Sequence, residues 1–200
     1  MRKVLSLILV LLLPILIFGC NNNTIFIKGK RVDIISEKNN NTNWKELYFK
    51  QLQNVNDMIY QSFSLIFVDN DVIPEMLFQS RSHVTTSKLF WVYDNEIYYL
   101  DISYNGFYYY EKQNLFMNSD GFTGTGWDTI YRIYLNKAEN VCEGNYCLVK
   151  GHETFKINDS IFETYEQYIN VRNDLFDTRK ASFPNEQLSL IEIKNAIKDY

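Results

Sequence analysis

Apolar positions change their spacing several times along this 200-residue chain. From Val4 to Phe18 they are nearly continuous. From Trp44 they recur every three or four residues, at Trp44, Tyr48, Leu52, Val55, Ile59 and Phe63, which predicts an amphipathic helix with that stripe as its core face. Thr42 or Asn43 stands where a cap belongs, and Glu46 falls in the first turn. Beyond it the pattern becomes short β-prone runs. Ser64 to Val68 is closed by Asp69-Asn70-Asp71, and Leu89–Tyr93 meets a turn at Asp94-Asn95. Ile97–Tyr104 runs into Asn105-Gly106, a strong hairpin signal, followed by Phe107–Lys112. Ile130–Leu135, Cys147–Val149 and Phe155–Ile157 continue the series. Ser160-Ile161-Phe162-Glu163 has the form of a capping box, with Phe162, Tyr165, Ile169 and Phe176 on one helical face, although a strand fits the same stretch. After Pro184, Leu188, Ile191 and Ile197 predict a terminal helix.

The expected fold class is therefore α+β: an antiparallel β-meander of five or six strands packed with an N-terminal and a C-terminal helix. No Pro/Gly-rich linker or internal repeat divides residues 44–200, which read as a single globular domain. The 14 Phe, 15 Tyr and 3 Trp of the full chain exclude one that stays unfolded. A domain of this size buries about 70% of its unfolded surface, enough for a core without metals.

The opening run changes the picture. Met1-Arg2-Lys3 is a short basic segment, and the apolar run after it falls short of the roughly 20 residues that span a bilayer. No Lys/Arg cluster follows, so residues 1–19 read as a secretory signal peptide. Its end, Ile17-Phe18-Gly19-Cys20, resembles the lipobox of bacterial lipoproteins. That resemblance covers residues 1–20 alone. It implies cleavage after Gly19, a diacylglycerol thioether on Cys20 and further acylation such as palmitate, and hence attachment to the cell membrane or outer membrane on the exported side. Residues 20–43 would then be a lipid-anchored tether holding a short strand or hairpin around Ile25-Phe26-Ile27.

With Cys20 lipidated, Cys142 and Cys147 remain. Four residues separate them, with Gly144-Asn145 in the middle, which predicts a hairpin closed by a disulfide contributing about 2 kcal/mol. A metal site would need more ligands than His83 and His152 can add, so no metal is expected.

Without residues 1–19 the chain has 18 basic against 24 acidic residues, a net charge of −6. No basic cluster exceeds Lys28-Gly29-Lys30-Arg31, so nucleic acid is excluded as a partner. The most motif-like stretch, Ser119 to Asp128, holds three of the eight glycines. It lacks Gly-Lys-Ser/Thr and precedes a strand rather than a helix, so neither nucleotide fingerprint fits and no cofactor is implied. It reads as a mobile loop, with Trp127, Phe122, Tyr108 and Tyr110 as candidate ligand-binding residues beside it. Neither histidine sits near a nucleophile elbow. Asp101, Glu111, Asp120 and Asp128 supply carboxylates for hydrolysis only if two of them meet at a working separation. The favoured reading is a lipid-anchored, non-catalytic domain binding a small molecule or protein. A surface hydrolase using carboxylates near Gly121–Asp128, or an inhibitor protecting against an exported enzyme or toxin, are the alternatives.

Overall fold

The computed structural model describes residues 43–53, 55, 61–80, 86–103 and 106–200. The signal-like segment, Cys20, nearly all of the tether, Ile59, His83 and the Asn105 turn position lie outside them. Helix α1 (Trp44–Gln53) comes first, then a four-stranded antiparallel sheet of β1 (Gln61–Ile66), β2 (Glu75–Ser80), β3 (Ser87–Tyr93) and β4 (Glu96–Ile102). A six-stranded antiparallel sheet follows: β5 (Gly106–Tyr110), β6 (Leu115–Phe122), β7 (Thr125–Tyr134), β8 (Lys137–Cys147), β9 (Thr154–Ile157) and β10 (Ser160–Phe162). Helices α2 (Tyr165–Leu175) and α3 (Leu190–Asp199) complete the chain. In both sheets neighbours in space are neighbours in sequence. The fold is α+β, with meander-ordered strands and helices at both ends.

Strand alternation sorts the side chains into layers. On β3, Phe90 and Val92 join a cluster with Tyr48 and Leu52 of α1 and with Ile193 and Ile197 of α3. The intervening Leu89 and Trp91 face the other way, into a cluster with Phe107, Phe116 and Ile133 of the six-stranded sheet. The opposite face of that sheet, through Met117, Ile130, Cys142 and Phe155, buries Tyr168 of α2 and Phe176 just beyond it. The order is thus α1 and α3, four-stranded sheet, six-stranded sheet, α2. Phe116 sits at the seam between the sheets with its ring stacked on Phe107 and Tyr131, centroids 5.3 and 5.1 Å away. β2 is buried along its whole length, which is why it carries no polar/apolar alternation for sequence reading to find.

The segment between α2 and α3 straps one side of the sandwich. Ser182 exchanges both backbone hydrogen bonds with Tyr109 on β5, and Leu188 exchanges both with Phe63 on β1. Ser64 Oγ also donates to the Glu186 carbonyl. These contacts occupy an edge of each sheet that would otherwise offer unpaired backbone groups.

Several expectations are corrected. α1 ends at Gln53, so Phe63 belongs to β1 rather than to the helical stripe. Ser160-Ile161-Phe162 is strand β10. The capping box instead joins Thr164 and Gln167 at the start of α2, because Thr164 holds extended backbone and accepts from the Gln167 N–H at 3.2 Å. In α3 the buried residues are Ile193 and Ile197, while Ile191 is exposed, and Ser189 with Glu192 forms the cap. Gly144-Asn145 is not a hairpin turn. Cys142 and Cys147 both lie on the continuous strand β8, and both are thiols. Five positions along a strand place them roughly 16 Å apart, far beyond the reach of a disulfide. The turn is upstream, at Leu135-Asn136, with Tyr134 paired to Lys137. A bulge at Val141, where Cys142 pairs with Ile130 but Asn140 with Tyr131, reverses the alternation and sends Cys142 to the α2 side.

Candidate functional site

The glycine-rich stretch is a hairpin, not a mobile loop. β6 and β7 pair through Phe122 and Thr125, leaving Thr123 (φ 48°) and Gly124 (φ 84°) as a two-residue turn. Two positive φ values match the twist of the strands, and the second position favours glycine. The tip extends the six-stranded sheet beyond the part that packs on the four-stranded one, so its two faces have different surroundings.

Each face can be read across the strands. On the face turned toward the four-stranded sheet, Asp120, Trp127, Asn145 and Lys156 form one cross-strand row from β6 to β9. Phe122, Thr125, Cys147 and Thr154 form the next. Trp127 is half-buried, Asn145 and Thr154 are exposed, and Phe122 is 81% exposed. Asp120 is fixed by two hydrogen bonds: its Oδ1 accepts from the Gly121 N–H at 2.7 Å and its Oδ2 from Ser103 Oγ at 3.1 Å. A groove of about 470 Å³ is lined by Asp120, Phe122, Trp127, Asn145 and Thr154, with the adjoining Gly121, Thr125, Gly126 and Tyr146. A second hollow of about 340 Å³ runs from Ser119 to Thr125 and reaches Tyr146 and Leu148.

The other face is closed by tyrosines lying where glycines leave room. Gly126 pairs with Tyr146, and a Cβ on Gly126 would lie 2.4 Å from that ring. Gly144 pairs with Asp128, and a Cβ there would lie 2.4 Å from the Tyr168 hydroxyl. Tyr168, wholly buried, donates to Asp128 Oδ2 at 2.7 Å, and Arg172 Nε stands 4.0 Å from the same oxygen. Burial first, and the Asp128 carboxylate second, hold the Tyr168 hydroxyl far above the usual tyrosine range, so it stays a donor. Tyr146 and Tyr165 are raised for the same leading reason. The glycines thus serve aromatic packing rather than a phosphate.

Trp127 and Phe122 therefore line the groove, whereas Tyr108 and Tyr110 do not. Tyr108 packs on Phe183 at 5.8 Å, and Tyr110 stacks on Phe176 at 4.4 Å while its hydroxyl accepts from the Asp177 N–H at 2.7 Å. Strand β5 is two positions from β7 in the sheet, and alternation turns both tyrosines to the α2 side. Asn145 and Thr154 are groove residues that sequence reading missed, because only the register of β7, β8 and β9 brings them to the face of Trp127. The candidate carboxylates are dispersed. Asp120 and Asp128 occupy opposite faces of the hairpin, Asp101 pairs with Lys88, and Glu111 lies in the β5–β6 turn. His152 is an exposed turn residue. Among the described residues no group of three His, Cys, Asp or Glu side chains is placed to hold a metal.

One buried acid lies elsewhere. Glu75, 2% exposed at the start of β2, accepts from the Val68 N–H at 2.6 Å. Burial, and then the neighbouring Asp69 carboxylate, push its carboxyl up to about 8. No family model, curated protein or solved structure matches the chain.

Proposed function

We propose that this protein is a lipid-anchored bacterial envelope lipoprotein, held to the membrane through Cys20, whose domain binds a ligand without transforming it. The observation that carries the binding half is the open row of Asp120, Trp127 and Asn145 on the face of the six-stranded sheet turned away from α2. A half-buried indole flanked by an anchored carboxylate and an amide is a recognition surface: one apolar plane and a few oriented polar groups. The separation of Asp120 from Asp128 onto opposite faces speaks for binding rather than hydrolysis, which needs two carboxylates across one bond. The anchor half rests on the Ile17-Phe18-Gly19-Cys20 pattern.

Two measurements test the two halves separately. Palmitate labelling of the expressed chain should be lost in Cys20→Ser, with the protein leaving the membrane fraction; labelling that persists refutes the anchor. Tryptophan emission of the full chain, titrated with soluble saccharides and peptides, should respond in the wild type and not in Trp127→Phe. A response that survives the substitution, or turnover of the added ligand, refutes the binding site as drawn.

A further inference from the structure

We propose that the ligand of the Trp127 groove is a neutral oligosaccharide. This rests on the binding reading above and names the class of molecule that the groove takes.

Consider what the groove offers. Trp127 presents a flat ring in the middle of a cross-strand row, with Asp120 on one side and Asn145 on the other. Phe122 stands on the same face one row further toward the tip, diagonal to Trp127. Tyr146, the third aromatic group, belongs to the opposite face, where its ring covers Gly126. The aromatic groups on the open face therefore form a shallow platform and not a cage, which disfavours a quaternary ammonium ligand held by several converging rings.

Three other ligand classes fit poorly. An extended peptide adding as a strand needs an unpaired edge. The centre of the groove, Trp127 and Asn145, lies on β7 and β8, which are paired on both sides there; β6 is paired on one side only over Asp120–Phe122, so a strand could add only at that rim and not across the indole. A phosphate or other strong anion needs cations or a helix N-terminus. The lining contains neither, but does contain the Asp120 carboxylate; the nearest cation in the row, Lys156, stands beyond Asn145. A lipid or other wholly apolar ligand needs an enclosed apolar cavity, whereas here every aromatic side chain has a polar neighbour in its row.

A sugar matches what is left. Its C–H face lies on an indole, and its hydroxyls both donate and accept. The site supplies the complement: a carboxylate that only accepts, an Asn145 amide and a Thr154 hydroxyl that do both, and a Thr125 hydroxyl that donates to the Phe122 carbonyl at 2.9 Å and so turns an acceptor to the ligand. Asp120 already accepts from the Gly121 N–H through Oδ1 and from Ser103 Oγ through Oδ2, so the group is pre-oriented before any ligand arrives. Pre-orientation lowers the ordering cost that otherwise makes sugar binding weak.

The experiment uses the full lipidated chain in a detergent without a sugar headgroup. Tryptophan emission and calorimetry are recorded against hexamers of glucose, of N-acetylglucosamine and of mannose, and against a Lys/Arg-rich hexapeptide. At least one neutral hexamer should bind. Binding should weaken about tenfold or more in Trp127→Ala, the loss expected for about 1.4 kcal/mol of stacking. Read by calorimetry, since the variant lacks the reporting indole, it should be partly restored in Trp127→Phe, and it should fall several-fold in Asp120→Asn. Far-UV circular dichroism and the unfolding midpoint of each variant confirm that it is folded. Sugar binding indifferent to Trp127→Ala overturns both the sugar assignment and the groove. No sugar binding, with peptide binding that Trp127→Ala abolishes, overturns the sugar assignment and leaves the groove standing. Binding of neither overturns both.

Discussion

The two sheets are treated differently by the rest of the chain. The four-stranded sheet is covered on both faces, by α1 and α3 outside and by the second sheet inside. The six-stranded sheet is covered on its outer side by α2, but its inner face outruns its partner, leaving the rows of Trp127 and Phe122 open. The same hairpin thus has one face filled by Tyr146 and Tyr168 over glycines and another carrying an indole among polar groups. Coverage is what separates a structural surface from a candidate binding surface here, since the strands themselves are continuous through both regions.

That contrast can be broken most directly at the seam. Phe116→Ala removes a fully buried ring stacked between two others and should cost about 3–5 kcal/mol, read by denaturant unfolding. If the loss is under about 1 kcal/mol, the sheets are not packed as described. Glu75 probes the covered sheet by pH. Its carboxyl is held at about 8 in the folded chain against 4.5 as the ordinary value, so the folded state favours the protonated form. Stability should be greatest below about 4.5 as far as this group is concerned, decline as pH rises to about 8, and level off above that. Glu75→Gln should flatten this decline, measured as unfolding free energy from pH 5 to 9; an unchanged profile contradicts the burial of the carboxyl.

Gly144→Ala should sharpen the contrast between the two faces of the hairpin. Its Cβ meets the Tyr168 hydroxyl and disturbs the bond to Asp128, at a cost of about 1–3 kcal/mol. Trp127→Ala, on the open face, should cost less than about 1 kcal/mol of stability while removing ligand binding. The smallest effect concerns the cysteines. Reducing agent should leave the unfolding midpoint unchanged, and the denatured protein should titrate with both Cys142 and Cys147 thiols reactive. A mass lower by two hydrogens without reductant would reinstate the bridge.

Much of the scaffold was legible because its signals are local. The Asp94-Asn95 turn carries two positive φ values between strands whose alternation is plain, and Asn43 caps α1 with its side chain 3.4 Å from the Glu46 N–H. Where two local signals compete, reading goes astray. Ser160-x-x-Glu163 and Thr164-x-x-Gln167 both satisfy a capping pattern, and pairing with β9 decides for the second by drawing Ser160–Phe162 into a strand. Gly144-Asn145 between β-prone residues reads as a turn. In the folded chain Gly144 is straight strand, because the glycine is needed to admit Tyr168 from α2. Half the candidate site was legible in the same sense. Trp127 and Phe122 announce themselves as aromatic residues amid glycines, but Tyr108 and Tyr110 could be excluded only once alternation had turned them to the α2 side and the strap at Asp177–Phe183 had packed against them.

By itself, the sequence determined the α+β class, the helices at both ends, most of the strands and the aromatic character of the hairpin. These follow from period, turn chemistry and capping, which act over a few residues. Only the tertiary structure decided that the strands divide into two sheets, that Cys142 and Cys147 sit far apart on one strand, and that Asp120 and Asn145 flank Trp127 while Asp128 faces away. Those outcomes depend on register, where a shift of one residue exchanges the faces of a strand, and on what packs above each face. Both are set by contacts between residues far apart in the chain.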